Sequence, residues 1–457
     1  MNVVSLYTFE HGKVQYTVER GLDVAISEDA PGRSLIVDKE TYQIGGLYTP
    51  GSEFRPGAKG RPARPYLEDP NYKKTLYQCA CGWFGFEVPE TGVCPFCGSP
   101  DIKEARPMVR PWGFAPKEAQ PIAEAQLMEV FSFALPPVYS TLPDGSAMQD
   151  IAGWQHIHMA ARENQRIIML NRGPDKKGFT ICPDCGAAVP GDDDDALRGI
   201  RRPYPTKFST CRHNGCDCEH VNLGYDFITD MLVLEIPLDS PALDDGRESQ
   251  PWLRRAAQSL AEAIRITVSK LLDIEYTELV SGYRLRRQRG SACVDIYLYD
   301  SLSSGAGYAV CLADDMPRIL RAARELLAGC SCDDACQRCL KHYRNQFLHP
   351  MLDRHAALVL LHWAETGDVP EELPIERQQA ALAPLHPLLQ AAGIEIFENQ
   401  TEAAGRGIVF RHNDKVRTIL VYPWMNARPK VRGTISLSDA LLKYARPYAL
   451  ETILKAF

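Results

Sequence analysis

From residue 225 onward the chain alternates apolar runs with amphipathic stretches. YDFITDMLVLEIPL is dominated by apolar residues, the pattern of a buried strand. The following WLRRAAQSLAEAIRITVSKLLDI sets Leu253, Ala256, Ala257, Leu260, Ala263, Ile264, Val268 and Leu271 at helical spacing. TELVSGYRLR and SACVDIYLYD read as two further strands. The Gly-rich SLSSGAGYA turns into the helix MPRILRAARELLAG. LDRHAALVLLHWAE starts another helix, with Asp353 in the capping position. After a Pro/Glu linker at 369–376, residues 380–457 read as a small αβ module with a hairpin around Asn413 and Asp414.

The first half is less regular. Residues 1–65 read as short strands and loops ending in the linker PGSEFRPGAKGRPARP, and the Pro-rich residues 105–140 as irregular extended chain. Residues 141–180 alternate like strands, with NRGPDKKGF as a turn. The fold class predicted is α+β, or mixed α/β, and multidomain. Five segments are expected: a strand-rich 1–65; a zinc ribbon and Pro-rich stretch at 66–140; a second zinc-binding module at 141–221; an αβ domain with a four-cysteine loop between helices at 222–368; and the αβ tail at 369–457.

Charge changes this picture only locally. The net charge is −7, so any grip on nucleic acid must come from patches. No basic-then-apolar leader and no long apolar run is evident, so a cytoplasmic protein without a membrane span is expected.

Cysteine changes it more. Of 15 cysteines, 13 fall into three tight groups, the pattern of metal ligation rather than of a disulfide framework. The first group, Cys79, Cys81, Cys94 and Cys97, has the spacing of a tetrahedral S4 zinc ribbon. The second offers Cys182 and Cys185 as one knuckle. Its return half offers Cys211, His213, Cys216, Cys218 and His220 for two places, of which Cys211 and Cys216 are the expected pair. The third, Cys330, Cys332, Cys336 and Cys339, is too short for two hairpins and implies a compact loop around one ion. Zinc is the expected cofactor, at two to three structural sites, with an iron–sulfur cluster left open at the third. Four protein ligands close a site, so the metals should hold shape rather than do chemistry.

YDFITDMLVLEI, IYLYDSLSSGAGYA and CSCDDACQRCLKHYRNQFLHPMLDRHAA together resemble the MrfA-type zinc-binding (MZB) domain family. The residues that carry the likeness are Thr229 and Asp230; Asp300, Gly305, Gly307 and Tyr308; the four cysteines of the third group; Tyr343 and Asn345; and Asp353 with Arg354. One departure is Ser303-Ser304-Gly305, where the family usually has paired glycines. The family occurs at the carboxyl end of MrfA-type superfamily-2 DNA helicases. It also occurs as the stand-alone B component of the DISARM phage-defence system. The resemblance therefore implies a non-catalytic, DNA-binding partner of a separately encoded helicase, in a hetero-oligomer serving defence or DNA repair. No G-x-x-x-x-G-K-[ST] occurs in this chain to hold ATP phosphates.

Arginines gather in RPGAKGRPARP, in LRGIRRPYP (Arg201, Arg202), in YRLRRQRG (Arg284, Arg286, Arg287, Arg289) and around LKHYRN (Lys341, Arg344). These are the expected DNA contacts, with YRLRRQRG, read as a hairpin edge, foremost. Four simpler readings compete with chemistry elsewhere. Asp300 orders the Gly-rich turn over Tyr308; Asn345 and Arg354 tie the cysteine loop; GDDDD is a solvated run; and His156 and His158 are structural. The alternative function is a metal-dependent nuclease in the tail, drawing on Glu395, Glu398, Glu402, Asp414 and Lys415.

Overall fold

The computed structural model describes residues 3–11, 13–49, 63–123, 128–132, 134, 138–139, 148–204, 218–244, 249–288, 290–301, 307–397 and 407–457. The chain divides into two compact units that exchange segments. One comprises Met1–Leu142, Arg162–Met231 and Tyr299–Tyr308, the other Pro143–Ala161, Leu232–Leu298 and Ala309–Phe457.

In the first unit, a five-stranded sheet runs in the order Lys13–Gly21, Val3–Glu10, Phe114–Pro116, Glu40–Leu47, Ser34–Val37. Alternation in Val3–Glu10 sends Val4 and Leu6 into the core, where Leu22, Ala25 and Ile26 of the helix Leu22–Glu28 are also buried. The ribbon strand Lys73–Cys79 pairs antiparallel with Phe84–Gly85 and with Ile102–Val109.

Two strands therefore replace the irregular chain expected at the start of the 105–140 segment. Pro107 lacks an N–H, yet it sits inside a strand. The register slips between Lys74 and Leu76, which pair with Met108 and Ala105, so Arg106 and Pro107 face Thr75 across a bulge. The Asn222 side chain donates to the Arg106 carbonyl at 2.9 Å. Proline content hid these strands because the bulge, not the residue, decides whether the ladder survives.

In the second unit, the helix Gln250–Leu272 buries Leu253, Ala256, Ala257, Leu260, Ala263, Ile264 and Val268, the predicted stripe apart from Leu271 at its frayed end. It packs on the helix Arg354–Thr366 and on the strand Leu279–Gln288. Leu279–Gln288 pairs with Ser291–Asp300. Asp353 caps Arg354–Thr366 as expected, accepting the N–H groups of His355 and Ala356 at 2.8 and 3.1 Å.

The tail forms a four-stranded sheet in the order Glu395–Phe397, Ile408–His412, Lys415–Tyr422, Thr434–Ser438, the last pair parallel. The expected hairpin is present, and Asn413 takes φ +52°, the left-handed value that a tight two-residue turn requires. Leu382, Leu389, Phe410, Ile419, Leu437 and Ile453 close a core of their own.

Candidate metal centres and their surroundings

Each cysteine of the first group sits at the edge of a tight turn. Gly82 and Gly98 take φ of +102° and +71°, bringing the chain back after Cys81 and Cys97. The Cys79 and Cys97 sulfurs lie 3.6 Å apart, those of Cys81 and Cys94 3.5 Å, and all four fall within 4.8 Å of one another. A tetrahedral zinc with Zn–S near 2.3 Å requires S···S edges of about 3.8 Å. A disulfide requires about 2.05 Å. The geometry is that of a metal site. Trp83 and Phe96 pack against the sulfurs. Burial pushes the thiols of Cys81 and Cys94 up, the latter to about 11. Burial also acts on Cys79, but the Cys81 backbone N–H and the Cys97 thiol outweigh it and lower that thiol. Cys79, Cys81, Cys94 and Cys97 would hold a divalent cation, which would take the place of the thiol protons.

The third group repeats this geometry in a loop. Sulfur separations are 3.5 Å for Cys330–Cys332, 3.5 Å for Cys330–Cys336, 3.7 Å for Cys332–Cys339 and 3.9 Å for Cys336–Cys339. The backbone N–H of Arg338 and the Cys330 thiol hold Cys336 down to about 6. Burial and the Cys330 thiol push Cys332 up to about 12.

Residues far along the chain fix this loop. Arg354 donates from Nε to the Cys332 carbonyl at 2.7 Å and from a terminal nitrogen to the Leu327 carbonyl at 3.1 Å. Asn345 accepts the His342 N–H at 2.7 Å and donates to the Leu340 carbonyl and to Glu262, both at 2.9 Å. Glu262, buried in the long helix, also accepts from Ser281 and Tyr276. Asn345 and Arg354 therefore tie the loop, as expected. Sequence reasoning missed Glu262, because the partners that give it a role lie on other elements.

The two residues that flank the Gly-rich segment, Asp300 and Tyr308, are bonded to each other. The buried Asp300 accepts the Tyr308 N–H at 3.1 Å, and its carbonyl accepts from Thr229 at 2.9 Å. Gly305 lies outside the described residues.

In the second group, Cys182 and Cys185 are fully buried on a knuckle closed by Cys182 N–H to the Ala187 carbonyl at 2.8 Å. Cys218 packs against them. Cys211, His213 and Cys216 lie outside the described residues. His220 has both ring nitrogens engaged, at 3.2 Å from Thr180 and 3.1 Å from Asp194. The acidic run is a short capped turn, with Asp193 accepting the Asp195 N–H. His156 and His158 face different carboxylates, Asp239 at 3.5 Å and Asp150 at 2.9 Å.

One expectation is corrected by the strand period. YRLRR lies within the hairpin strand Leu279–Gln288, as expected, but its alternation turns Arg284 and Arg286 to the same buried face rather than to solvent. Both guanidinium groups clamp Asp295, from Nε at 2.5 and 2.9 Å, and Arg286 also bridges to Glu235. Two arginines buried against two acids are not presented to a phosphate backbone. Cys293 completes a trio with Glu235 and Asp295, but the arginines already occupy the carboxylates. Arg287 is half-buried and donates to the Gly290 carbonyl, Arg289 lies outside the described residues, Arg201 and Arg344 are exposed, and Arg202 and Lys341 are half-buried.

Comparison with known proteins agrees with the metal geometry. Residues 260–340 match the family model described as MZB, the MrfA Zn-binding domain, and the two sulfur tetrads fit structural zinc as the cofactor. Across 474 aligned positions and 98% of its length, the chain is 31% identical to Druantia protein DruE of Escherichia coli (strain UMEA 4076-1), and it spans 25% of that relative. Crystal structures of DUF1998 helicase MrfA also align. The DNA-bound form gives a TM-score of 0.38 at 11% identity, covering 79% of this chain and 34% of that one. The form bound to DNA and AMPPNP gives 0.29 at 10% identity, covering 79% and 31%. Among the described residues, no helix is long and apolar enough to cross a membrane.

Proposed function

We propose that this chain is a non-catalytic, zinc-stabilised DNA-binding component that works with a superfamily-2 helicase motor lying outside these residues, in anti-phage defence. Zinc is held by Cys79, Cys81, Cys94 and Cys97 and by Cys330, Cys332, Cys336 and Cys339. A third ion would be held by Cys182 and Cys185 with Cys211 and Cys216, the last two lying outside the described residues, while Cys218 packs against the knuckle. The metals supply rigidity. The Druantia relative supports the defence assignment.

The observation that carries the DNA reading is the turn behind the third zinc loop. Tyr343 is 83% exposed, the highest value among the large exposed hydrophobic side chains described. It lies between Lys341–His342 and Arg344, and the His342 side chain accepts the Arg344 N–H, so the turn is capped and stiff. An exposed ring among cations is a platform on which a base stacks while phosphates are neutralised. Arg201 and Arg202 add a second basic site. The nuclease alternative finds no comparable support: Asp414 is in a hairpin turn, Lys415 bonds the Phe457 carbonyl, and Glu398 and Glu402 lie outside the described residues.

Fluorescence anisotropy with labelled single-stranded DNA tests the reading. Binding should weaken steeply with salt, and Tyr343→Ala and Lys341→Glu/Arg344→Glu should each weaken it. Mg²⁺-dependent cleavage of that DNA, abolished by Asp414→Ala, would replace this reading with the nuclease one.

A further inference from the structure

The second unit holds a pocket of about 340 Å³, in the range of small-ligand sites, that neither zinc loop nor basic turn explains. Its lining combines three aromatic side chains, Trp252, Trp424 and Tyr444, with cations at Arg255, Lys443 and Arg446 and two carboxyls, the buried Asp353 and the half-buried Asp439. Apart from His355 the rest is apolar, including Ala356, Val359 and Leu442.

The walls are fixed before any ligand arrives. Trp252 and Tyr444 stack with centroids 5.8 Å apart, and the Arg255 guanidinium lies 4.0 Å from the Tyr444 centroid. Arg255 is anchored at 2.7 Å to the Pro350 carbonyl, and the Tyr444 hydroxyl donates to Asp353. Lys443 is spent on Asp334 and Asp353. Asp439 uses one oxygen, Oδ1, for both the Trp424 and Ala440 N–H groups, at 2.9 and 2.7 Å. That leaves Oδ2 as an acceptor on a wall it shares with Trp424, Ala440 and Leu442. Arg446 is exposed, and its Nε reaches the Leu442 carbonyl at 3.2 Å.

We propose that this pocket binds a purine nucleotide unit, with the base against the aromatic wall, its N–H edge on Asp439 and its phosphate at Arg446. A flat π-system suits the indole and phenol faces, a donor edge suits the unused carboxylate oxygen, and a phosphate suits the exposed guanidinium. The unit is either a free mononucleotide or a terminal residue of a single strand. The inference stands apart from the DNA-partner reading, because a free nucleotide fills the site whether or not the basic turn grips DNA.

Isothermal titration of the full chain with GMP, AMP and inorganic phosphate tests it, with a short purine oligonucleotide as competitor. Both nucleotides should bind at one shared site, and phosphate alone should bind at least tenfold more weakly. Asp439→Asn keeps an oxygen for the two backbone donors and should weaken binding about tenfold. Ala380→Trp, an exposed change on the pocket lining, should abolish it at unchanged melting temperature. Lys341→Glu/Arg344→Glu should leave it intact. Competition by the oligonucleotide identifies a strand end, and absence of competition a free nucleotide. Failure of both nucleotides to bind, or binding unaffected by Ala380→Trp, overturns the proposal.

Discussion

The ribbon at Cys79–Cys97 and the loop at Cys330–Cys339 present the same four sulfurs at nearly the same spacing, but their surroundings differ. The ribbon is held by its own turns, and its packing partners Trp83 and Phe96 lie within the same short stretch. The loop has no hairpins, and it is held by Arg354, Asn345 and, through Asn345, Glu262. One metal folds a local module; the other joins helices that are far apart in sequence. Zinc geometry alone does not say how far its loss will spread. The second shell of hydrogen bonds does.

The largest expected effect tests that contrast directly. Changing Cys336 and Cys339 to Ser should release one zinc and lower the melting transition of the second unit, because metal binding is worth on the order of 10 kcal/mol in small zinc modules and here couples several helices. Changing Cys94 and Cys97 to Ser should also release one zinc. Hydrogen exchange should then rise at the ribbon, with the Gln250–Leu272 helix left protected. Equal spreading from both double variants would erase the difference. Arg354→Met leaves every ligand in place but removes the bonds to the Cys332 and Leu327 carbonyls, at a cost of about 3 kcal/mol in chemical denaturation. Its zinc should become easier to chelate while the ribbon's does not.

The smallest effect is pH-dependent. Burial raises the Asp353 carboxyl, but the Tyr444 hydrogen bond and the Lys443 charge outweigh it and hold the value below that of a free aspartate. The group therefore adds stability above the unfolded value near pH 4, and that contribution is lost as pH falls through the lower folded value. Asp353→Asn should cost about 1 kcal/mol at pH 7. The cost should shrink toward zero in acid.

Much of this was legible in the chain. Helical spacing found the long buried stripe, and Asp353 marked a helix start. Cysteine spacing found both tetrads, since ligand geometry is a local property of short turns. Long-range pairing was not legible. Arg284 and Arg286 look like a DNA-facing run until strand alternation brings them onto Asp295 and Glu235. Pro107 argued against a strand until the bulge opposite Thr75 admitted it. Glu262 resembled any acid on a helix, because its partners lie on other elements. In each case the deciding contact crosses from one element to another.

Metal analysis of protein purified without added zinc tests the central claim most directly. Two to three zinc ions per chain, falling by one in the Cys336→Ser/Cys339→Ser variant, is the result predicted. A chain that carries no transition metal, or a double variant that keeps its full complement, would contradict the account.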